Sequence, residues 1–259
     1  MKTLPVFLVL SLLLSLPALA ADYERVLLPV FLHGVEQGAF GSQWVTELSI
    51  HNSGSQSVHL DPPYCPTLIS PCVPLPIHPG VVWSFGKNSA PETPFFSKSS
   101  FVYVPASAVN DIHFNLVAKD ISRIDDTFGT EVPVVRASDF RTTTISLLNI
   151  PVQPPYRSTL RLYHAARTAT SVRVRIFAPN GQSIGDREVF LTASDYGFLE
   201  RPLLPGYAEI GDLLDTARHA GIENVRVQID PHDVPVWGFI SVTNNITQQV
   251  TLVTPQRPL

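Results

Sequence analysis

Apolar and polar residues alternate with a period of two over several short stretches of this chain, the pattern of strands with one buried and one wet face. Between residues 44 and 51, Trp44, Thr46, Leu48 and Ile50 alternate against polar partners from Glu47 onward. Between 112 and 119, Ile112, Phe114, Leu116 and Ala118 alternate against His113, Asn115 and Lys119. Leu160 and Leu162 against Arg161 and Tyr163, then Val172, Val174 and Ile176 against Arg173 and Arg175, give one sheet a wet, arginine-rich face. The same reading predicts strands over 26–33, 56–60, 80–85 and 100–104 in the first half. In the second half it predicts strands over 131–136, 143–149, 187–191, 196–200, 224–229, 236–243 and 249–253.

Turn residues cut these runs at the spacing of a sandwich or barrel. The 24 prolines are scattered along the chain, which excludes a helical bundle. Asn180-Gly181 is a hairpin signal, since both residues tolerate the positive φ of a tight turn. One segment departs from the β pattern. Residues 207–219 place Ile210, Leu213, Leu214 and Ala217 at helical spacing, with Glu209 and Asp212 early, Arg218 and His219 late, and Gly221 just beyond. That charge order suits the helix dipole and predicts a short helix over an open end of the second sandwich. A weak internal repeat pairs Leu28-Pro-Val30 with Val132-Pro-Val134 at a period slightly over 100 residues, the size of one sandwich domain. The fold expected is therefore all-β: two tandem antiparallel β-sandwich, immunoglobulin-like domains at 21–125 and 126–259, with one short helix in the second.

The stretch 122–130, Pro133-Val-Val135, Arg157-Ser-Thr-Leu-Arg-Leu162 and the closing Val236-Trp-Gly-Phe-Ile-Ser-Val-Thr-Asn-Asn-Ile-Thr247 resemble the uncharacterised tandem β-sandwich modules of secreted bacterial proteins. In those modules an aromatic-x-x-x-Ser-Val-x-x-Asn-x-Thr stretch closes each unit. The resemblance covers most of residues 120–255 and implies fold and export, with no activity and no catalytic residues to carry across.

Residues 1–20 read as a secretory signal peptide: Lys2, an apolar run from Val6 to Leu16 broken only by Ser11 and Ser15, and a small-x-small end at Ala18-Leu-Ala20. The run is shorter than the roughly 20 residues of a membrane span. Later apolar runs are all cut by Pro, Gly, Asn or a charge, so no span is expected after signal removal, and the expected location is a periplasm or the medium. Loss of Lys2 moves the formal charge from -4 to -5. Without a basic stripe, nucleic acid is excluded as a partner.

Candidate chemistry is sparse. Cys65 and Cys72 are expected to form a disulfide across a small Pro-rich loop; six intervening residues and the lack of a nearby histidine cluster disfavour a redox pair or metal thiolates. The serines show no Gly-x-Ser-x-Gly elbow, and Gly41-Ser42 and Gly54-Ser55 read as turns. The eight histidines contain no His-x-x-x-His pair; a meeting of His51, His59 and His113 on one polar sheet face is weighed, and solvent-facing strand positions are the preferred reading. Asp120, Asp125 and Asp126, and Asp230 and Asp233, lack the ligand density of a calcium loop, and no carboxylate spacing selects a glycosidase pair. Trp44 and Trp83 are the residues for ligand stacking on an aromatic face, with core packing as their structural role and Trp237 beside them in that role. Asn245-Ile-Thr247 reads as a turn. No cofactor or metal is expected. The function expected is a non-catalytic interaction, adhesion or structural module with a protein or glycan partner; its rivals are a glycan-binding module and a hydrolase with a loop-assembled site.

Overall fold

Strands dominate the computed structural model of this chain, which describes residues 22–32, 34–61, 74–86, 98–122, 129–196, 201–211, 213–215 and 221–256. The segment 1–20, Cys65 and Cys72 lie outside these residues, as does all of the expected strand 196–200 except Tyr196. In chain order the first strands are β1 (Tyr23–Phe31), β2 (Glu36–Gln37), β3 (Gln43–Asn52), β4 (Val58–Leu60), β5 (Leu75–Ile77), β6 (Val82–Phe85), β7 (Lys98–Pro105) and β8 (Ile112–Asp120). Then come β9 (Thr130–Val132), β10 (Val135–Arg136), β11 (Ile145–Pro151), β12 (Tyr156–His164) and β13 (Thr170–Phe177). The last are β14 (Ser183–Leu191), β15 (Gly206–Ile210), β16 (Asn224–Pro231), β17 (Val236–Asn244) and β18 (Val250–Val253).

The chain is all-β and its sheets are antiparallel. One sheet runs β2-β3-β8-β9 with β6 also beside β3; a second is β10-β1-β7; two four-stranded sheets are β15-β12-β17-β18 and β11-β16-β13-β14; and β4 pairs with β5. The alternations decide which faces are buried. In β3 and β8, Leu48, Ile50, Ile112 and Leu116 are buried while Glu47, His113 and Asn115 face water. In β13, Val172, Val174 and Ile176 are buried beside the wet arginines. The β13–β14 hairpin turns at Asn180-Gly181, with Gly181 at φ 83° and its N–H donating to the Ala178 carbonyl at 2.9 Å.

Successive residues of β1 and β7 serve two different cores. Val26, Leu28, Val102 and Val104 pack with Leu48, Ile50 and Leu116 under the outer sheet. Leu27, Phe101 and Tyr103 point the other way and pack with Val135, Phe140, Tyr163, Trp237 and Phe239. The strands that carry Tyr163, Trp237 and Phe239 do the same in mirror image, since Leu160, Leu162, Val236, Ile240 and Val242 face a third core shared with Val172, Val174, Val227 and Ile229. Four sheets are thus stacked on three apolar layers, and the central strands of the two inner sheets carry buried side chains on both faces. At the usual sheet spacing of about 10 Å the outer sheets stand roughly 30 Å apart.

Hydrogen bonds reinforce the middle layer from both sides. The Tyr163 hydroxyl donates to the Pro29 carbonyl at 2.7 Å, and the Tyr103 hydroxyl to the Pro202 carbonyl at 2.7 Å. Phe101 N–H donates to the Leu203 carbonyl at 2.9 Å, and an Arg201–Asp61 ion pair lies alongside. Burial pushes both phenols above their usual value of 10. Residues 130–136 join the sheets of the first half, because β9 pairs with β8 and β10 with β1.

The short helix expected over 207–219 is corrected at its start: residues 207–210 are strand. β15 pairs with β12 residue by residue, from Leu160 opposite Ile210 to His164 opposite Gly206. Ala208 and Ile210 face inward while Tyr207 and Glu209 face water, so a two-residue period along a free sheet edge prevails over the spacing from Ile210 to Leu214. Leu213 and Leu214 still bury their side chains in the third core, and residues 216–220 lie outside the described set.

Because Trp237 is buried in the layer that joins the halves, Trp237→Ala is expected to cost about 3–5 kcal/mol. Calorimetry should show one cooperative transition for the parent chain and two resolved transitions for the variant. A parent chain that already melts in two steps would contradict the shared layer. Tyr103 and Tyr163 ionise less readily when folded than unfolded, so their contribution to stability is complete below about pH 10 and lost above it. Absorbance titration should therefore show two phenols that ionise only as the chain unfolds.

Candidate functional site

Around its β6 end, the outer face of β3, β6 and β8 carries hydroxyls, an amide and two imidazoles, and a Lys119–Glu47 ion pair at 2.6 Å lies farther along the same face. Cross-strand pairing sets Ser49 opposite both Ser84 and Asn115, and His51 opposite both Val82 and His113. The His51 and His113 rings stack with centres 6.1 Å apart and planes 23° from parallel. His51 Nδ1 lies 3.3 Å from the Val81 carbonyl oxygen, and His113 Nε2 lies 3.0 Å from the Ser53 hydroxyl. Of the three histidines weighed for one polar face, His51 and His113 stand opposite each other. His59 sits on β4 opposite Pro76, and His78 Nδ1 pairs with the Ser57 hydroxyl at 2.9 Å.

Trp44 and Trp83 are both half-buried. Trp44 lies on β3, and its indole N–H donates to the Ser42 hydroxyl at 2.9 Å. Trp83, opposite Ile50, packs on the first core and stacks with Phe85 at 6.2 Å. The two rings do not form a common platform: Trp44 pairs beside Glu36 on one stretch of β3, and Trp83 lies beside the Ile50 end of the same strand. Trp237 is buried in the middle layer.

The other outer sheet is ionic. Arg173 pairs with Asp186, Arg175 with Asp230 at 2.7 Å, and His232 with Glu188 at 3.0 Å. Burial works to raise Asp230, but hydrogen bonds from Gln228, Thr144 and Arg175 outweigh it and hold the carboxyl below its usual range. Asp230 is thus occupied by donors of its own sheet, and Asp125 and Asp126 lie outside the described residues.

Sequence reading missed a groove of about 470 Å³ between the free edges of β14 and β15. Phe190 is 77% exposed there, and Tyr207 is also exposed. At one end the groove is closed by the Thr192 N–H donating to the Tyr207 carbonyl at 3.2 Å and the Tyr207 N–H donating to the Thr192 hydroxyl at 3.1 Å. The available signal was Phe190 between Val189 and Leu191: period two sends the neighbours inward and leaves the phenyl ring in water.

Behind this groove lies a buried polar knot. His164 is fully buried, its Nε2 2.7 Å from the Thr192 carbonyl, and its Nδ1 accepts from the Ala166 N–H at 3.1 Å. The Thr192 carbonyl only accepts and the Ala166 N–H only donates, so the ring is neutral with its hydrogen on Nε2. The Ser194 hydroxyl donates to the His164 carbonyl at 3.1 Å and accepts from the Gly206 N–H at 2.9 Å. Gly206 is required, since a Cβ there would stand 2.2 Å from His164 Nε2. The knot ties the loop after β12 to the ends of β14 and β15 and so fixes the groove.

Compared with known proteins, the chain matches no family, no curated protein and no solved structure.

Burial lowers the pKa of His164 from the usual 6.5, against the pull of the Thr192 carbonyl. The unfolded ring binds a proton more readily, so the histidine's contribution to stability is complete above about pH 6.5 and is lost as the pH falls through the lower folded value. Tm should drop between pH 7.5 and pH 5, by roughly 2–4 °C for each kcal/mol lost. His164→Gln, which can keep both hydrogen bonds, should lose part of that dependence. An unchanged pH slope in the variant would remove His164 as its source.

Proposed function

We propose that this chain works outside the cytoplasm as a non-catalytic module of two β-sandwich units that binds another protein at the cell envelope or beyond it. Export rests on residues 1–20. The two-unit reading rests on the cores above and below the middle layer, together with the immunoglobulin-like strand spacing of each half. The observation that carries the function is Phe190, whose ring stands in water beside Tyr207 on a groove between two open sheet edges. Large aromatic rings in water are anchors for protein interfaces, and free strand edges offer main-chain donors and acceptors to an extended segment of a partner. The stacked cores hold that edge rigidly, which limits the entropy lost on binding. A glycan platform at Trp44 or Trp83 is the less supported reading, because each ring is half-buried against its own sheet.

A photo-crosslinking amino acid in place of Phe190, in the full chain expressed by the cell that makes it, should give a discrete adduct with one envelope or extracellular protein. The same probe in place of Ile246, which is 72% exposed at the β17–β18 turn, should not. Equal and diffuse labelling from both positions would remove the groove as the binding surface.

A further inference from the structure

The hydrogen bonds around His51 and His113 fix which nitrogen of each ring carries its hydrogen. The Val81 carbonyl oxygen can only accept, so His51 Nδ1 donates to it and Nε2 keeps its lone pair. The Ser53 hydroxyl lies 3.1 Å from the Asp111 carbonyl oxygen, which also only accepts, so the single hydroxyl hydrogen is committed there. The Ser53 oxygen then accepts from His113 Nε2, and the lone pair of His113 sits on Nδ1. Each imidazole therefore has one N–H anchored, directly or through one hydroxyl, to a main-chain carbonyl. Its other nitrogen has no hydrogen-bond partner among the described residues. That is the outer arrangement that orients metal-ligating histidines.

We propose that His51 and His113 form a two-imidazole binding site for a divalent first-row transition cation of the copper, nickel and zinc class. Directly opposed residues of an antiparallel pair have Cβ atoms about 4.5–5.5 Å apart, and these two are in register opposite each other. A cation about 2.1 Å from each ligating nitrogen stands about 3.2 Å from each ring centre, so two ligating rings have centres no more than about 6.4 Å apart. The observed 6.1 Å lies within this limit. His113 is exposed and His51 half-buried, so the ion is reached from solvent and water completes its shell. No group of three His, Cys, Asp or Glu converges among the described residues, so selectivity follows from the imidazoles. Imidazole suits copper, nickel and zinc, whereas calcium and magnesium require several oxygen ligands. The outward neighbours Ser49, Ser84 and Asn115 are uncharged and place no competing cation beside the pair. The site is independent of the protein-binding groove, which lies on other strands.

The test is titration of the exported chain with Cu²⁺, followed by calorimetry and electron paramagnetic resonance, with Zn²⁺ as the weaker comparison expected from the Irving–Williams order. One equivalent should bind with hyperfine structure from two imidazole nitrogens. His51→Gln and His113→Gln should each weaken binding at least tenfold, and His232→Gln, on the ionic outer sheet, should leave it unchanged. All replaced side chains are at the surface, and unchanged melting temperatures verify folding. Equal affinity in the parent and both pair variants, or the absence of a saturable equivalent, would overturn the proposal.

Discussion

The aromatic layer between the inner sheets is the constraint on which the rest of the structure depends. A sheet covered on one side can leave its second face wet, but β1 and β7 carry Leu27, Phe101 and Tyr103 on that second face. β12 and β17 have the same need for Tyr163, Trp237 and Phe239. Each pair of strands answers the other, and neither half can be separated without exposing large rings to water. The polar tips of the layer follow from the same logic: Tyr103 and Tyr163 bury their rings and so must find acceptors, which they take from proline carbonyls across the joint. Gly238 shows how closely the inner strands approach, since a Cβ there would stand 2.5 Å from the Leu162 side chain and 2.8 Å from the Arg161 carbonyl oxygen.

This arrangement explains what sequence reading recovered. Strands with one wet face announce themselves by alternation, so β3, β8 and β13 were legible in type and in buried face, whereas Tyr163 of β12, expected on a wet face with Arg161, is buried in the middle layer. The Asn180-Gly181 turn was legible because backbone stereochemistry is local. The stacking was not read, although a signal exists. Val26-Leu27-Leu28, Phe101-Val-Tyr-Val104 and Val236-Trp-Gly-Phe-Ile240 are continuous apolar runs, the mark of strands buried on both sides. β15 was read as helix because Ile210, Leu213 and Leu214 suit a helical period, while the free edge of β12 that captures residues 206–210 is a tertiary fact with no local trace.

The candidate sites divide the same way. That His51 and His113 share a polar face follows from alternation, but their direct opposition depends on strand register, which residue types alone do not set. The groove beside Phe190 depends on two edges from different sheets meeting, and those edges are 15 or more residues apart along the chain. What the stack leaves at the surface is chemically divided. One outer sheet is a lattice of arginines and carboxylates, the other carries hydroxyls, an amide and two imidazoles beside a single Lys119–Glu47 ion pair, and a groove with exposed aromatic rings lies between sheets of the second half.

Native-state hydrogen exchange tests the shared layer most directly. If the four sheets stand or fall together, the amides of β1 and β7 in the first half and of β12 and β17 in the second exchange only through global opening, with one common free energy and one common denaturant dependence. If β1 and β7 exchange through a smaller opening while β12 and β17 remain protected, the halves are independent and the account of a single stacked body is wrong.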